Sequence, residues 1–376
     1  MKKEIKIGII GTKFMGKAHT HAFVDAPLFF DLPLKPVLQV ACGVDPKATE
    51  QFANRYGWKA WDTSSEKVIL RDDVDLIDIC TPNHLHMPVA IAAAKAGKHI
   101  LCEKPMANNA DDARRMLDAV EEAGVKHMMV FNYRRVPALA FAKKMIEDGK
   151  IGRIFHFNAV YFQDWLVDPQ FPYTWRHNKQ LAGSGAHGDL NAHIIDLARF
   201  LVGEFETVCG AEKTFIKERT IAGTNQTKEV TVDDAVSFMA HFQNGALGSF
   251  TATRFATGRK NLQRIEIFGS EGSLSFNLER LNELEYYNRN DAAGEQGFRT
   301  ILVTEANHPY LNGWWPTGHI IGWEHTFVHL VSDFVTAIAK DTPVYPNFYD
   351  GLKCQFVLDA VASSIEKGRW IQIPER

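Results

Sequence analysis

The first 131 residues alternate between short apolar runs and longer segments with helical periodicity, and this alternation constrains the fold more than any other sequence feature. The apolar runs span residues 5–10, 37–44, 75–80, 99–102 and 126–131, and the helical segments span 15–24, 46–56, 87–96 and 110–123. Strands separated by helices pair in parallel, because the helix returns the chain to the edge where the strand began. Nearly continuous apolar strands are typical of a sheet with both faces covered. The sequence therefore predicts an α/β domain with a doubly wound parallel sheet.

Polar residues follow these strands directly, at the point where each strand ends. They are the segments 11–16 (GTKFMG), 81–84 (TPNH), 103–105 (EKP) and 132–134 (NYR), together with Asp45. In doubly wound sheets, ligands bind beyond the carboxyl ends of the strands. The pattern indicates a ligand site at that edge of the sheet.

The segment 11–16 has the composition of a phosphate-binding loop. Gly11 permits a tight turn, and Gly16 lets the following helix pack close to the strand. The exposed amides and the dipole at the helix N-terminus favour an anionic pyrophosphate. Lys13 stands where the fingerprint GxGxxG has its second glycine, although a cation near phosphates can compensate. We therefore predict a Rossmann domain that binds a dinucleotide.

Asp45, at the end of the second strand, is placed as the acid that accepts hydrogen bonds from a ribose. It lies further from the glycines than the usual spacing of about 20 residues. An inserted loop at 25–36 (DAPLFFDLPLKP) accounts for the excess. A carboxylate here repels the 2′-phosphate of NADP, which favours NAD, while Lys13 and Lys47 keep NADP open as the alternative.

The stretch 183–203 (GSGAHGDLNAHIIDLARFLVG) carries the strongest candidate for acid–base chemistry. Apolar residues recur at helical spacing from 190 to 201, and Asp189 is predicted to be the N-cap. Asp189, His193 and Asp196 would then share one helix face, about a turn apart. A carboxylate beside an imidazole can hold a proton acceptor in one tautomer. The alternative is a capping aspartate and a core histidine.

After residue 133 the pattern changes to consecutive strands, so we predict two domains, residues 1–133 and 134–376. After a helix at 137–148, strands are expected at 152–162, 284–287 and 299–304, with hairpins at 232–255 and 264–276. Helices at 324–340 and 352–367 end the second domain. This order predicts an α+β domain with an open, mostly antiparallel sheet. One sheet face, expected to be rich in Phe and aliphatic residues, must be covered, which predicts a homo-oligomer, a dimer or a tetramer.

Charge and cysteine content argue against several classes of protein. The net charge is −3 with Lys and Arg scattered, whereas a nucleic-acid-binding protein shows a basic stripe. No apolar run approaches the roughly 18 residues of a membrane span. The N-terminal MKKEIKIGIIG suits a first strand better than a signal peptide. Five cysteines without a CxxC pair suit a reducing compartment, so a cytoplasmic protein is expected.

Four motifs together resemble the Gfo/Idh/MocA oxidoreductase family over nearly the full chain. They are IGIIGTKFMGKAH, CTPNHLHMPVA, LCEKPMA and GDLNAHIIDLARFLVG. Within the family, GTxFMGKAH, DLPLKP, TWRHNKQLAGSGAHGDLNAH and GWEHTF are similar to segments of the levoglucosan dehydrogenase-like sugar dehydrogenases. The resemblance implies NAD(P)-dependent interconversion of an alcohol and a ketone on a sugar or cyclitol, with the 3-hydroxyl of a pyranose as the favoured position.

The resemblance also implies the site residues, with Lys104, Asp189 and His193 as the catalytic group. His193 would accept the hydroxyl proton, Asp189 would orient its ring or hold a neighbouring hydroxyl, and Lys104 would stabilise the alkoxide. A cis peptide bond is expected before Pro105. The expected cofactor contacts are Gly11, Thr12, Phe14, Met15, Gly16, Asp45, Thr81, Asn83, His86, Glu103, Lys104, Asn132, Trp175 and Arg176. The expected substrate contacts are Lys104, Tyr133, Gln163, Trp165, Arg176, Asp189 and His193, with Asn132, Asp164 and His187 as further candidates.

Three alternatives remain beside a sugar dehydrogenase. They are an inositol 2-dehydrogenase, a glycoside hydrolase that uses NAD for transient oxidation, and a non-catalytic NAD-binding regulator. Stoichiometric NADH release separates the dehydrogenases from the hydrolase, and a regulator would not need all three catalytic candidates. His325 and His329 have a spacing that can bind zinc, but the sequence HTFVH lacks the glutamate of HExxH, so no metal site is expected.

Overall fold

The computed structural model describes residues 3–375, which form two compact units. The first contains residues 3–132 and Gly322–Leu352, and the second contains Tyr133–Ile321 and residues 353–375. The break after residue 132 lies where the sequence pattern changes. Gly322–Leu352, which the sequence pattern assigns to the second domain, groups instead with the first unit.

Helices and strands are numbered in chain order over residues 3–375. The α-helices are α1 (Phe14–Phe29), α2 (Pro46–Tyr56), α3 (Ser65–Ile69), α4 (His86–Lys95), α5 (Ala110–Ala123), α6 (Pro137–Glu147), α7 (Lys179–Ala182), α8 (Ala192–Leu201), α9 (His325–Lys340) and α10 (Phe348–Lys367). The strands are β1 (Lys3–Ile10), β2 (Leu34–Cys42), β3 (Ala60–Asp62), β4 (Leu76–Ile79), β5 (His99–Cys102), β6 (His127–Met129), β7 (Ile154–Phe162), β8 (Phe205–Lys213), β9 (Glu218–Thr220), β10 (Thr227–Glu229), β11 (Ala235–Phe242), β12 (Leu247–Thr253), β13 (Leu262–Gly269), β14 (Gly272–Asn277), β15 (Glu283–Asn288), β16 (Arg299–Leu302) and β17 (Ile371–Gln372).

The first unit is built on a parallel sheet with the strand order β3-β2-β1-β4-β5-β6. This is the order of a doubly wound dinucleotide-binding sheet, in which the direction of winding reverses between β1 and β4. The central strands are covered on both faces: Ile7, Ile9, Ile77 and Ile79 are all 0% exposed. The predicted Rossmann fold class is confirmed. The sequence pattern missed β3 and α3, which are too short to show a period.

The segment 25–36, predicted as an inserted loop, is largely regular structure, so that prediction was wrong. α1 continues to Phe29, and β2 already begins at Leu34. Pro27 lies in the last turn of α1, where its missing N–H removes only one helical hydrogen bond. Burial of Phe23 (2% exposed) and Ala26 (0%) holds these extra turns against the core.

The contacts of α9 explain why Gly322–Leu352 groups with the first unit. This helix packs against α1 and β2. The His329 ring meets Phe30 edge to face, with the ring centroids 5.8 Å apart. The apolar face of α9 therefore completes the cover of the parallel sheet, which sequence order alone does not reveal.

The second unit contains a nine-stranded sheet with the order β16-β15-β14-β13-β7-β12-β11-β8-β17. Neighbouring strands are antiparallel except for β7 and β12, which run parallel. Both predicted hairpins are present, β11–β12 around Asn244-Gly245 and β13–β14 around 270–271. The predicted open, mostly antiparallel sheet is confirmed. A separate two-stranded ribbon joins β9 and β10.

Most phenylalanines of this sheet lie on its buried inner face, contrary to the expectation of a Phe-rich outer face, with Phe155 of β7 an exception at 45% exposed. Phe238 and Phe250 stack 4.4 Å apart, and both are buried. Alternation along the strands then directs small polar residues outward. Ser237 and Thr251 are hydrogen-bonded at 3.0 Å, next to the half-exposed Met239. The outer face is therefore mixed in polarity. Within residues 3–375, no helix has the length and apolar character needed to cross a bilayer.

Candidate active site

The glycines of the segment 11–16 are required by close packing. Gly11 has φ +114°, and a Cβ there would lie 2.3 Å from the carbonyl oxygen of Cys80. A Cβ on Gly16 would lie 2.2 Å from the carbonyl oxygen of Gly11. Lys13 has φ −88°, a negative φ that does not require glycine, and its side chain is exposed. The missing second glycine therefore causes no backbone strain in this loop.

The start of α1 presents features that suit an anion. The first-turn amides of a helix lack intrahelical partners, α1 has no acidic residue in its first turn, and its N-cap residue makes no side-chain cap. Phe14 is 65% exposed and stacks on Trp323, with centroids 5.7 Å apart. Thr12 and Met15 belong to the same loop and are half-buried.

The ends of the neighbouring strands add polar groups to this edge. Asp45 is exposed and caps α2, accepting the Ala48 N–H at 2.9 Å. The buried Oγ1 of Thr81 has no hydrogen-bond partner among the described residues. An orphaned hydroxyl, an exposed carboxylate and a bare helix N-terminus at one sheet edge fit the ribose and pyrophosphate groups of a dinucleotide.

Lys104 follows β5 in a short turn, and the Lys104–Pro105 peptide bond is cis, as expected. The Glu103 carboxylate accepts the Lys104 N–H at 3.0 Å and contacts His19 through its other oxygen, also at 3.0 Å. His86 is fully buried, with its ring nitrogens 3.0 Å from the carbonyl oxygens of Pro105 and Thr81. Glu103 and His86, predicted as cofactor contacts, thus both hold the turn that carries Lys104.

The remaining predicted cofactor residues of the first unit are Asn83 and Asn132. Asn83 begins the 3₁₀ turn Asn83–Leu85 before α4. Asn132 is buried and donates from its side chain to Thr326 Oγ1 at 2.8 Å. Asn132 therefore ties the end of β6 to the start of α9.

The helix that carries Asp189 and His193 starts with a π-helical turn, His187–Asn191, before α8. Asp189 lies inside this turn, so the prediction that it caps the helix was wrong. Asp233 does the capping: its carboxylate accepts the N–H groups of Gly185 (2.7 Å) and His187 (2.8 Å). A Cβ on Gly185 would lie 1.7 Å from the Asp233 carbonyl oxygen. π-turns are rare and occur frequently at functional sites.

The Asp189 carboxylate is held by a buried arginine that the sequence pattern did not predict. Arg254 donates from Nη2 to Asp189 Oδ2 at 2.7 Å, and its side chain is 2% exposed compared with 25% for Asp189. The guanidinium also stacks over the Trp165 ring at 5.3 Å. Arg254 follows the end of β12, and no local motif marks it as functional.

The His193 imidazole lies against two tyrosines. Its ring centroid is 4.6 Å from that of Tyr133 and 5.9 Å from that of Tyr161. The two tyrosine hydroxyls are hydrogen-bonded to each other at 2.8 Å. Burial, and then the charges of Tyr133 and Asp189, raise the pKa of Tyr161 well above its usual value, so this phenol stays neutral. Tyr161 was missed because it alternates along β7 like any core residue.

Two predicted substrate residues form a hydrogen-bonded chain. Trp165 Nε1 donates to Gln163 Oε1, and Gln163 Nε2 donates to Asn261 Oδ1, both at 2.8 Å. The candidate Asp164 is instead engaged by the exposed Lys260 at 2.7 Å. Trp165 therefore links this chain to Arg254, and through it to Asp189.

Trp175 and Arg176 lie together in the 3₁₀ turn Trp175–His177. The Arg176 guanidinium stacks on the Trp175 ring at 4.6 Å. His177 is fully buried, and burial and the charges of Arg219 and Arg254 lower its pKa to about 4. A neutral His177 accepts the Thr174 N–H at 2.9 Å and so fixes this turn.

Two further candidates of the π-turn helix have other partners. Asp196, predicted to share a face with Asp189 and His193, makes a bidentate pair with Arg134 at 2.8 and 2.6 Å and is 1% exposed. His187, a candidate substrate contact, is buried with its ring nitrogens bonded to the Leu358 carbonyl (2.9 Å) and to Asn191 (3.0 Å). Both side chains anchor the helix.

The two histidines with zinc-like spacing have different surroundings. His325 Nδ1 accepts the Gly322 N–H at 3.1 Å, whereas His329 is fully buried against Phe30. Among the described residues, one group of side chains has metal-ligand spacing, His19 with Asp78 and Cys80. Burial raises the pKa of the Cys80 thiol well above its usual value, so this sulfur is protonated.

Comparison with known proteins gives matches over both units. A family model described as "Oxidoreductase family, NAD-binding Rossmann fold" matches residues 5–131, and a "GFO/IDH/MocA C-terminal domain" model matches residues 139–275. Levoglucosan dehydrogenase of Pseudarthrobacter phenanthrenivorans is 44% identical and covers 99% of each chain. The structure of levoglucosan dehydrogenase in complex with NADH and levoglucosan superposes with a TM-score of 0.97 at 44% identity, over 100% of both chains. An oxidoreductase domain protein from Kribbella flavida superposes with a TM-score of 0.96 at 50% identity, over 99% of this chain and 100% of that one.

Proposed function

Because the chain belongs to the Gfo/Idh/MocA oxidoreductase family, we propose that it is an NAD-dependent dehydrogenase that oxidises a secondary hydroxyl of a sugar or anhydrosugar to a ketone. The 3-hydroxyl of a pyranose is the proposed position. The observation that carries the proposal is the whole-chain likeness, at 44% identity, to an enzyme named levoglucosan dehydrogenase. Levoglucosan is therefore the first substrate to test.

The first unit supplies the cofactor-binding residues in this proposal. The loop Gly11–Gly16 and the start of α1 hold the pyrophosphate, and Asp45 and Thr81 hold ribose hydroxyls. Asp45 is exposed enough to accept two hydroxyls while it caps α2. When bound, NAD⁺ supplies the hydride acceptor. Trp175 and Arg176 of the second unit are proposed to contact its nicotinamide end.

His193 is the proposed proton acceptor. Imidazole is the side chain used most often for proton transfer near neutral pH, which suits His193 to this role. Its ring is packed against Tyr133 and Tyr161, which restricts its orientation. A fixed ring lowers the entropy cost of proton transfer from the substrate hydroxyl. Tyr161 is neutral and does not compete as a base.

Asp189 is proposed to hold a neighbouring hydroxyl of the sugar. Its Oδ2 is engaged by Arg254, and a buried guanidinium favours the ionised carboxylate. A carboxylate kept ionised is a strong hydrogen-bond acceptor and a weak base, which leaves base catalysis to His193. The Trp165–Gln163–Asn261 chain is proposed to line the same sugar site, since aromatic faces and amides suit a pyranose.

Lys104 is proposed to stabilise the negative charge that develops on the substrate oxygen. An ammonium group close to an alkoxide lowers the pKa of the parent hydroxyl and so assists its deprotonation. If Lys104 and His193 act on one transition state, the free-energy losses of Lys104→Met and His193→Gln should not add in the double variant. Additive losses would mean that the two residues contribute independently and are not coupled.

The decisive experiment measures NADH formation from NAD⁺ with levoglucosan, common pyranoses and inositols. We expect levoglucosan or a pyranose to give one NADH per ketone formed, and NMR of the product to locate the carbonyl at C3. Preferred oxidation of an inositol would instead favour the inositol 2-dehydrogenase function. Glycoside cleavage without net NADH would favour the hydrolase function, and no turnover with any of these would overturn the proposal. His193→Ala should lower kcat by roughly 10²-fold or more while NADH binding changes little.

We also propose that the protein forms a cytoplasmic homo-oligomer through the outer face of the nine-stranded sheet. Met239 and Leu247 are 50% and 38% exposed on that face, among paired serine and threonine side chains. Light scattering should then give a dimer or a tetramer, and Met239→Glu should lower the mass. A monomeric wild type would refute this part.

A further inference from the structure

His19 is a fully buried histidine that the proposed reaction does not use. It lies on α1 and is 1% exposed, and its two ring nitrogens contact two different carboxylates. Nδ1 is 2.9 Å and 3.0 Å from the oxygens of Asp78, and Nε2 is 3.0 Å from Glu103 Oε1. Asp78 is 0% exposed and Glu103 is 5% exposed. Both nitrogens can donate to carboxylates at once only in the protonated ring.

The surroundings of His19 favour its protonated form. Burial alone would lower the pKa of His19, but the charge and hydrogen bonds of Asp78 outweigh burial and raise this pKa well above its usual value. The neutral Cys80 thiol lies 3.3 Å from Nδ1, and the Phe327 ring of α9 lies 5.4 Å away. No arginine or lysine is paired with this cluster, so the imidazolium is the cation that balances two buried carboxylates among the described residues.

The second carboxylate connects His19 to Lys104. Glu103 Oε1 contacts His19, while Glu103 Oε2 accepts the backbone N–H of Lys104 at 3.0 Å. On the other side of the lysine, the carbonyl of Pro105 lies 3.0 Å from His86 Nδ1. Lys104 is therefore flanked by two residues, each held by a buried histidine. Burial lowers the pKa of His86, so its neutral ring donates to only one of the Pro105 and Thr81 carbonyls at a time, and only the anchor on the Glu103 side is charged.

Because His19 is charged and His86 is neutral, loss of His19 and loss of His86 should have different consequences for the backbone at Lys104. If His19 is replaced by a neutral residue, Asp78 and Glu103 become two buried carboxylates without a cation between them, which is strongly unfavourable. Glu103 must then take up a proton or turn towards water, and either change alters its hydrogen bond to Lys104. Loss of His86 leaves an unpaired carbonyl, which is a smaller and uncharged defect.

We propose that His19, held as a cation between Asp78 and Glu103, is a positioning residue that fixes the backbone at Lys104 for catalysis. This inference rests on the proposed dehydrogenase function. His19 touches neither cofactor nor sugar in this role and acts through Glu103. A misplacement of a catalytic group by about 1 Å lowers the rate by roughly 10²-fold, which sets the scale of the effect.

The test compares His19→Gln with His21→Gln in the full-length protein, with levoglucosan and NAD⁺ as probes. His21 lies on the same helix but is 45% exposed and pairs with Asp25 at 3.0 Å, so its variant controls for changes on α1. We expect His19→Gln to lower kcat by about 10- to 100-fold with NADH affinity and sugar KM within about twofold of wild type. His21→Gln should match wild type. Adding Asp78→Asn to His19→Gln removes the excess charge and should restore part of the lost kcat.

Each outcome separates the positioning role from the proposed function. An inactive wild type with all sugars refutes the function itself. An active wild type with His19→Gln within twofold in kcat refutes the positioning role alone. If His19→Gln lowers kcat, NADH affinity and melting temperature together, and adding Asp78→Asn restores none of them, His19 is purely structural. That result also refutes the positioning role. If His19→Gln does not fold, Asp78→Asn alone decides: a kcat reduced by about threefold or more supports the role, and an unchanged kcat overturns it.

Discussion

The pair between Arg254 and Asp189 makes the sharpest prediction about the proposed chemistry. Replacing Arg254 with Met keeps the volume near Trp165 and removes the donor that holds Asp189 Oδ2 at 2.7 Å. The Arg254 side chain is 2% exposed, so little water is available to replace it. A hydrogen bond to a charged group contributes about 1.5–3 kcal/mol. If that energy is used in the transition state, kcat/KM falls by roughly ten- to a hundredfold.

The same substitution should also change the pH dependence. Without the guanidinium, protonation of the Asp189 carboxylate is opposed less, because a nearby cation favours the ionised form. The acidic limb of kcat/KM should therefore move to higher pH in Arg254→Met. The assay is the initial rate of NADH formation from levoglucosan between about pH 5 and 9, the range that covers the titration of imidazole and a perturbed carboxyl.

Two companion variants make this result interpretable. Arg254→Lys keeps the charge but loses the planar stack on Trp165. The acidic limb of its kcat/KM profile should therefore stay at the wild-type pH, and its kcat/KM should fall less than that of Arg254→Met. Arg259→Met removes an arginine that is 55% exposed and should behave as wild type. A wild-type pH profile together with an unchanged kcat/KM in Arg254→Met would refute the proposal that Asp189 is an ionised hydrogen-bond acceptor for the sugar while His193 is the base.

Three further predictions concern the backbone, stability and cofactor choice. Gly185→Ala places a Cβ 1.7 Å from the Asp233 carbonyl and should disrupt the π-turn, abolishing turnover and lowering the melting temperature; Gly297→Ala, with open space around it, should be neutral in both measurements. The stability difference between wild type and His19→Gln should be largest below the unfolded-state histidine pKa of about 6.5. It should shrink as pH rises through the raised pKa of folded His19, because the folded state then loses its extra proton; urea titrations at several pH values that show a gap growing with pH would contradict this. Asp45→Ser keeps an N-cap for α2 while removing the charge beside the ribose, so kcat/KM for NADP⁺ relative to NAD⁺ should rise by roughly tenfold or more, and an unchanged ratio would remove Asp45 from the cofactor site.

Local sequence patterns were sufficient to predict most of the helices and strands. The bounds of α2, α5 and β5 agree with those predicted from the sequence. α2 and α5 each begin after a capping residue, Asp45 or Asn109, and follow a helical period, whereas β5 is a short apolar run. The same holds for the hairpin at Asn244-Gly245, where the turn residues determine the register. The predicted loop at 25–36 was wrong, because it was inferred from the long spacing between the glycines and Asp45, whereas α1 continues to Phe29 with Ala26 buried.

The candidate site residues were predictable only where a motif carries them. Lys104, Asp189 and His193 stand in recognisable segments, so their candidacy follows from the sequence. Arg254 and Tyr161 do not: one follows a strand and the other alternates within a strand, as core residues do. Their relation to Asp189 and His193 exists because strands distant in sequence become neighbours in the sheet, with Arg254 and Asp189 separated by 65 positions.

The order of strands and helices, the glycine-containing segment 11–16 and the candidate catalytic residues could be predicted from the sequence itself, since a local pattern or motif marks each of them. Tertiary structure alone decided the π-turn, which needs Asp233 to bind two amides, and the charge of His19, which needs two carboxylates from other strands. It also placed α9 on the parallel sheet. These features arise from burial and electrostatics between distant segments, and such energies have no signature in local spacing.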